Sequence, residues 1–417
     1  MIGGRVLHAP WLSSGAAARV LALLNCDGEE ARVVGGAVRN ALLGIPIGDI
    51  DIATTALPTE VIRRAKAASI KSVPTGIDHG TVTLVLDGHP FEVTTLREDT
   101  ETFGRKAKVE FGRDWVGDAH RRDFTINALS VGPDGVVHDH VGGLADIAQR
   151  RVRFIGDPAQ RIAEDYLRIL RFFRIHAAFG HGDPDRDGYL ACIVGRSGLA
   201  TLSAERVRME MLKLVVTDGA VGALTAMAEG GLLTSLLGGV AYLGPFAAII
   251  EIERELELPP SAVRRLAALA VAVTEDARRL GSRLKLSNAE TKGLDGMGHR
   301  WWRFASADEA RVRRLLYRLG ETVYRDRLLL GWARAGRDRD DPRWRERALL
   351  PQRFTPPKLP LKAADFIARG VAEGPLLGHV LTLAEDAWLA ADFPLDEASL
   401  NAIADQAAAR VNRDGRS

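Results

Sequence analysis

GGAVRNALLGIPIGDIDIATTA, residues 35–56, is the stretch that leaves this chain the fewest local choices. Just before it, ARVV (31–34) reads as a short strand. Val38, Ala41, Leu42 and Ile45 then recur at helical spacing, and Gly44 with Pro46 supplies a stop signal. DIDIA (49–53) alternates polar and apolar, as a half-buried strand does. Residues i and i+2 of a strand share a face. Asp49 and Asp51 are therefore expected to project side by side, with Ile50 and Ile52 in the core. Adjacent carboxylates repel unless a cation joins them, and Mg²⁺ held by one or two carboxylates plus substrate phosphates is a common solution. Gly36 opens the helix, where free N–H groups and a missing side chain favour a phosphate. Arg39, one turn in, adds positive charge. Together these residues fit a nucleoside triphosphate held by a helix N-terminus and a metal. Alone, a DxD pair is more often a solvated strand edge or turn, and a glycine pair is usually a plain turn. No Walker loop, GxGxxG fingerprint or EF-hand loop is present.

The rest of the first third is also mixed α and β. TVTLVL (81–86) and FEVTTL (91–96) are strands joined by DGHP, a hairpin signal. Phe91, Val93 and Thr95 share one face of the second strand, and Glu92 points to the other. Glu92 suits a third metal-facing carboxylate or simply a wet sheet face. The charged stretch 97–113 lacks periodicity and is expected to be a mobile loop. RRDFTINAL (121–129) sets Arg121, Arg122 and Asp123 before an apolar segment, a pattern that also suits helix entry with a capping aspartate. Beyond about residue 145 the chain turns to Ala, Leu, Arg and Glu with helical periodicity. EGGLLTSLLGGVAYLG (229–244) and FTPPKLP (354–360) punctuate that half.

With 417 residues, two to four domains are expected. A net charge of +2 makes any electrostatic argument a local one. Cys26 and Cys192 cannot build a disulfide framework or a zinc site by themselves, which points to a reducing compartment. The N-terminal segment has no basic n-region, and Arg19 interrupts its apolar run. No stretch approaches the ~18 apolar residues of a membrane span. A cytoplasmic location follows as the expectation, with no membrane partner and no obligatory protein partner evident.

Six motifs occur in order: GGAVRNALLG…GDIDIAT, GIDHGTVTLV, FEVTTLR, RRDFTINAL, DHVGGLADI…RRVRFIGDP and EDYLRILRFFR. Over residues 30–215 they resemble the class II nucleotidyltransferases of the tRNA CCA-adding enzyme and bacterial poly(A) polymerase family. The resemblance implies an α+β head of the polymerase-β nucleotidyltransferase type, a mixed β-sheet with helices, followed by an all-α neck, body and tail. The implied divisions are 1–142, 143–215, 216–345 and 346–417. It makes Gly36 and Arg39 contacts of the triphosphate, and Asp49 and Asp51 ligands of two Mg²⁺ ions with Glu92 as the third carboxylate. Arg122 becomes a second triphosphate arginine and Asp123 the ribose-side aspartate. Asn40 departs from the aspartate common at that position, and HDHVGG (138–143) lacks the usual proline after its aspartate. The latter's HD dipeptide mimics a phosphohydrolase motif, without a matching metal constellation in the helical half.

EDYLRILRFFR (164–174) carries a physical argument of its own. On one continuous helix Asp165 and Arg168 are neighbours at i and i+3, while Ile162, Tyr166, Ile169 and Phe173 form the seating stripe. Cytosine and adenine both present an amino donor beside a ring-nitrogen acceptor; uracil and guanine present the reverse. An aspartate accepting from the amino group and an arginine donating to the ring nitrogen suit C and A alone. By itself such a pair is more often a surface salt bridge, and only the company of the head motifs reverses that. The family uses Arg171 and Arg174 near the nucleotide too, although steps of three drift around a helix and take Arg174 off the face of Asp165. Glu205 and Arg208, in LSAERVRMEMLKL (202–214), are expected to brace this helix. The activity implied is template-independent addition of CCA to tRNA from CTP and ATP. The alternatives are a poly(A) polymerase or a CC-only or A-only enzyme, and, in another class, a non-catalytic RNA-binding protein. The retained carboxylate pair argues against the last.

Overall fold

The protein is described by a computed structural model covering residues 5–103 and 106–414. The chain divides into two units, Met1–Ala241 with Arg283–Lys285, and Tyr242–Ser282 with Leu286–Ser417.

In the first unit, short helices α1 (Pro10–Ser13) and α2 (Gly15–Leu24) precede β1 (Ala31–Val34). Helix α3 (Gly36–Leu43), β2 (Asp51–Thr54), α4 (Pro58–Ala67), β3 (Lys71–Gly76), β4 (Thr81–Leu86) and β5 (His89–Thr95) follow. With β8 (Ser130–Val131) and β9 (Val137–His138) these strands make a seven-stranded sheet in the order β3-β4-β5-β2-β1-β8-β9. All its pairs are antiparallel except β2 and β5, which makes the sheet mixed. The β4–β5 hairpin turns through Asp87 (φ 53°) and Gly88 (φ 80°), the two left-handed residues that a tight hairpin needs. Val82, Leu84, Phe91, Val93 and Thr95 are buried, so the apolar faces of both strands enter the core as their alternation requires.

The stretch 97–113 is not the loop its composition suggests. Strands β6 (Arg97–Phe103) and β7 (Lys106–Phe111) form a separate two-stranded antiparallel sheet. A ladder satisfies backbone groups only, so a charged segment without apolar periodicity can still make one.

Helices α5 (Trp115–Arg121) and α6 (Gly143–Ala148) complete the mixed part, and α7 (Pro158–Glu164), α8 (Leu167–Phe179), α9 (Arg186–Val194), α10 (Ala204–Leu214), α11 (Ala220–Glu229) and α12 (Leu232–Leu237) follow. Aromatic rings seat α8 against the bridged segments at Phe124 and Phe154: Phe124 to Phe154 at 5.0 Å and Phe154 to Phe172 at 5.3 Å between centroids.

The second unit is helical throughout the described residues. Its buried Glu253 bridges Arg264 and Arg265, each at 2.7 Å, and so compensates charges that would be costly alone. Helix Glu309–Ala333 is interrupted at Gly320, whose φ of 71° and ψ of 162° only glycine adopts readily. Trp388, Phe393 and Tyr317 anchor a core of their own near the C-terminal end. Among the described residues no helix is long and apolar enough to cross a membrane. Cys26 and Cys192 are both free thiols.

Candidate active site

The site grows from the turn between β1 and α3. Gly35 has φ 70° and ψ −127°, a conformation that a side chain would strain, and its N–H is held by the Leu129 carbonyl at 3.1 Å. Gly35 and Gly36 line a cleft at the start of α3. Two guanidinium groups flank the turn. A Cβ built on Gly36 would lie 3.5 Å from Arg39 Nη2, and one on Gly35 would lie 3.6 Å from Arg122 Nη1.

Arg39 is buried, and Asn40 Oδ1 accepts from its Nε at 3.1 Å and its Nη2 at 2.8 Å. Asn127 Oδ1 accepts from Nη1, and the Phe179 ring lies face-on with its centroid 3.6 Å from Cζ. Burial, with Arg174 nearby, pulls the pKa of Arg39 down to about 10, partly offset by Asp123. Asn40, the departure noted above, also donates to the Pro46 carbonyl at 3.0 Å, tying Arg39 to the loop that leads to Asp49.

Arg122 is oriented by Asp118, which accepts from its Nε at 3.1 Å and its Nη2 at 2.8 Å. Burial drives the Asp118 carboxyl upward, but Arg122 and Arg121 outweigh it and hold the pKa below the usual range. RRD closes α5 instead of opening a helix. Asp123 accepts from Phe124 N at 2.9 Å and from Arg171 Nε at 2.7 Å. Burial opposes the charge on Arg171, yet Asp123 prevails and raises its pKa.

Asp51 and Glu92 are register partners on the parallel strands β2 and β5. Side by side and exposed, they open on a cavity of about 540 Å³ that Arg121 and Arg122 also line. Asp49 does not lie on the strand with Asp51, as the alternation suggested. Strand β2 begins at Asp51, because its partner β1 ends at Val34, opposite Asp51, and the chain then turns away at Gly35. Asp49 is exposed in the preceding loop and lines neither cavity of the site. Its charge still reaches Asp51, whose pKa is raised by desolvation, then by Glu92, then by Asp49, against the opposing pull of Arg122. Among the described residues no three His, Cys, Asp or Glu side chains gather into a ready metal cage. An all-oxygen, mutually repelling pair nevertheless fits a hard divalent cation that takes its remaining ligands from water and phosphate.

A cleft of about 480 Å³ runs from this end to α8. Its lining includes Gly36, Arg39, Asp51, Arg122, Asp123, Asp165, Arg168, Arg171 and Arg174. Of the residues expected from sequence, Asp49 and Glu92 alone stand outside its walls. One expectation about its far end is corrected. Asp165 and Arg168 do not share a continuous helix: Asp165 is extended (φ −154°, ψ 106°), ending α7, and α8 begins at Leu167. Asp165 Oδ1 instead accepts from Leu167 N at 3.1 Å, a capping contact that competes with helix continuation. The break frees Asp165 from the helical drift, so it and Arg174 line one cleft.

Glu205 does not brace this helix as expected. Arg206 grips Asp165 Oδ2 at 2.7 Å and Glu210 grips Arg174, while Glu205 pairs with Lys285. Arg168 bonds the Arg161 carbonyl at 2.7 Å and Glu164. Asn127 and Arg206 sit inside motifs already singled out and were within reach of sequence reasoning. Phe179 carried no signal. The HD dipeptide is structural: Asp139 accepts four backbone N–H groups, from Val141 to Leu144, at 2.9–3.1 Å at the start of α6.

Residues 31–153 match the Poly A polymerase head domain, and 196–243 match the probable RNA and SrmB-binding site of polymerase A. A CCA-adding enzyme of Limosilactobacillus fermentum is 33% identical over 381 residues, 87% of this chain and 89% of that protein. The chain belongs to the CCA-adding enzyme family. Within that family, mouse mitochondrial CCA tRNA nucleotidyltransferase 1 is 39% identical over 269 residues, covering 63% of this chain. The match spans 61% of the mouse protein's length. The Bacillus stearothermophilus CCA-adding enzyme in complex with CTP superposes with a TM-score of 0.73 at 27% identity, covering 96% of this chain and 98% of that one. The family's head model takes in every cleft residue from Gly35 to Asn127, and Arg206 falls in the second matched segment.

Proposed function

We propose that this protein adds CCA to the 3′ end of tRNA, using CTP and ATP and releasing pyrophosphate. One observation carries the reading: a phosphate-binding turn, a strand carboxylate and a base-reading Asp–Arg set line a single cleft of about 480 Å³. The turn Gly35–Gly36 with Arg39 and Arg122 receives the triphosphate, since free N–H groups and two guanidiniums converge there. Asp51 and Glu92 would hold two Mg²⁺ ions, with Asp49 reaching them from the loop that precedes β2. When bound, these would supply Lewis acidity to the primer hydroxyl and neutralise the leaving pyrophosphate. Asp123 orients the ribose end and carries Arg171 with it.

Asp165 and Arg168 choose the base. Asp165 spends one lone pair on Leu167 N and another on Arg206, leaving capacity for an amino group. Arg168 keeps N–H donors beyond those given to Arg161 and Glu164. Uracil or guanine would face donors with donors and acceptors with acceptors, at a cost of ~1–3 kcal/mol for each unpaired group. Arg171 and Arg174 frame the cleft beside them. In this reading residues 1–142 are the catalytic head, 143–215 the base-reading neck, and 216–345 and 346–417 a body and tail that support tRNA, in the cytoplasm.

The test is incorporation of labelled CTP and ATP onto tRNA lacking CCA, tRNA ending in CC, and an unstructured oligomer, with Mg²⁺. CTP on the first and a single ATP on the second, with the oligomer ignored, are expected. Long A-tracts on the oligomer would make the protein a poly(A) polymerase, and addition to one tRNA only would make it a partial enzyme. No incorporation would leave an RNA-binding protein.

A further inference from the structure

Arg39 alone among the arginines lining the cleft is buried, at 8% exposure. The groups it touches are neutral, with Arg174 and Asp123 farther off. Two side-chain amide oxygens, from Asn40 and Asn127, take three of its N–H bonds, and the Phe179 ring covers one face. Among the described residues no carboxylate stands within ion-pair distance of it. Such a guanidinium keeps its full charge for an anion, but lacks the carboxylate that usually fixes an arginine's plane. The ring adds a face to the edge bonded by Asn40 and Asn127: Cζ lies over it, 3.6 Å from the centroid.

Phe179 is the last residue of α8, the helix whose Arg168, Arg171 and Arg174 line the base end of the cleft. Arg39 belongs to α3, at the phosphate end. We infer that Phe179 is a positioning residue: by stacking on Arg39 it aims the guanidinium at the triphosphate and ties that end of the site to the base-reading helix. The inference rests on the reading of Arg39 as a triphosphate contact. It makes α8 a single rigid part that serves both ends of the nucleotide.

The experiment is calorimetric binding of CTP and of CMP to the full chain without tRNA, for the parent protein and three variants. Phe179→Leu keeps apolar bulk and removes the ring face. It should weaken CTP binding about five- to thirtyfold, the span from an exposed to a desolvated cation–π contact, and leave CMP binding unchanged. Phe179→Tyr keeps the face and should bind CTP like the parent. Arg39→Ala should lower the CTP-to-CMP preference at least as far as Phe179→Leu does. Equal losses for CTP and CMP in Phe179→Leu would mean a general disturbance of α8 and overturn the inference, as would no loss for either. If Arg39→Ala lowers the preference and Phe179→Leu does not, the positioning role fails while the triphosphate role of Arg39 stands. If Arg39→Ala leaves the preference intact, the triphosphate reading itself fails.

Discussion

Asp51 and Glu92 face one another in register across the only parallel strand pair of the seven-stranded sheet. Forty residues of chain separate them, yet the crossover that makes β2 and β5 parallel neighbours puts their carboxylates on one face. Desolvation and the charges of Glu92 and Asp49 then raise the pKa of Asp51. The sign follows directly. Folded Asp51 holds its proton more tightly than unfolded Asp51, so its contribution to stability is present below the ordinary aspartate range and is lost as pH rises through the raised folded value. Asp51→Asn should therefore raise the Tm of the metal-free protein at neutral pH and flatten its Tm against pH above about 4. Added Mg²⁺ should raise the Tm of the parent and not of the variant. Nucleotide incorporation should fall by on the order of 10²–10³-fold or more.

Gly36 offers a separation of binding from stability. A methyl group there would meet nothing nearer than Arg39 Nη2 at 3.5 Å, an ordinary contact. Gly36→Ala should leave Tm unchanged or raise stability by up to ~1 kcal/mol through the unfolded chain. The same methyl obstructs the phosphate's approach to the helix N-terminus. Losing one charge-assisted hydrogen bond of ~1.5–3 kcal/mol would weaken CTP binding by about one to two powers of ten. Thermal melting and calorimetry on one preparation decide it.

Asp165→Ala removes the acceptor and leaves Arg206 without its partner. Discrimination of CTP over UTP, measured as a ratio of kcat/KM, should fall by about one to two powers of ten. The rate with the correct nucleotides should fall as well. A variant that still refused UTP as the parent does would remove Asp165 from base selection.

Asp139→Ala tests a structural role. Four backbone N–H groups at the start of α6 lose their acceptor, which should cost about 2 kcal/mol and lower Tm by roughly 4–8 °C. Mg²⁺ should not rescue it, and activity below the melting range should persist. Metal-dependent recovery would instead mark Asp139 as a ligand.

Much of this was legible in local sequence. The strand 31–34, the helix after Gly35 and the hairpin at Asp87–Gly88 obey short-range rules, because apolar spacing and left-handed turn residues act within a few positions. The 97–113 ladder escaped because backbone pairing needs no apolar pattern. The helix break at Asp165 escaped because a side-chain cap on Leu167 competes with helix propensity over a margin of a few tenths of a kcal/mol, which spacing does not reveal.

Local motifs settle which residue types stand at the two ends of the cleft: the Gly35–Gly36 turn with Arg39, the Asp51 strand, and the Asp165–Arg174 segment. Each is a local motif whose chemistry survives being read in isolation. Tertiary structure alone decided how they meet. Strand order set Glu92 rather than Asp49 beside Asp51, α10 supplied Arg206 to hold Asp165, and the end of α8 brought Phe179 under Arg39. Those pairings join residues tens to over a hundred positions apart. Chain topology and core packing bring such residues together, and no periodicity within either segment encodes the distance between them.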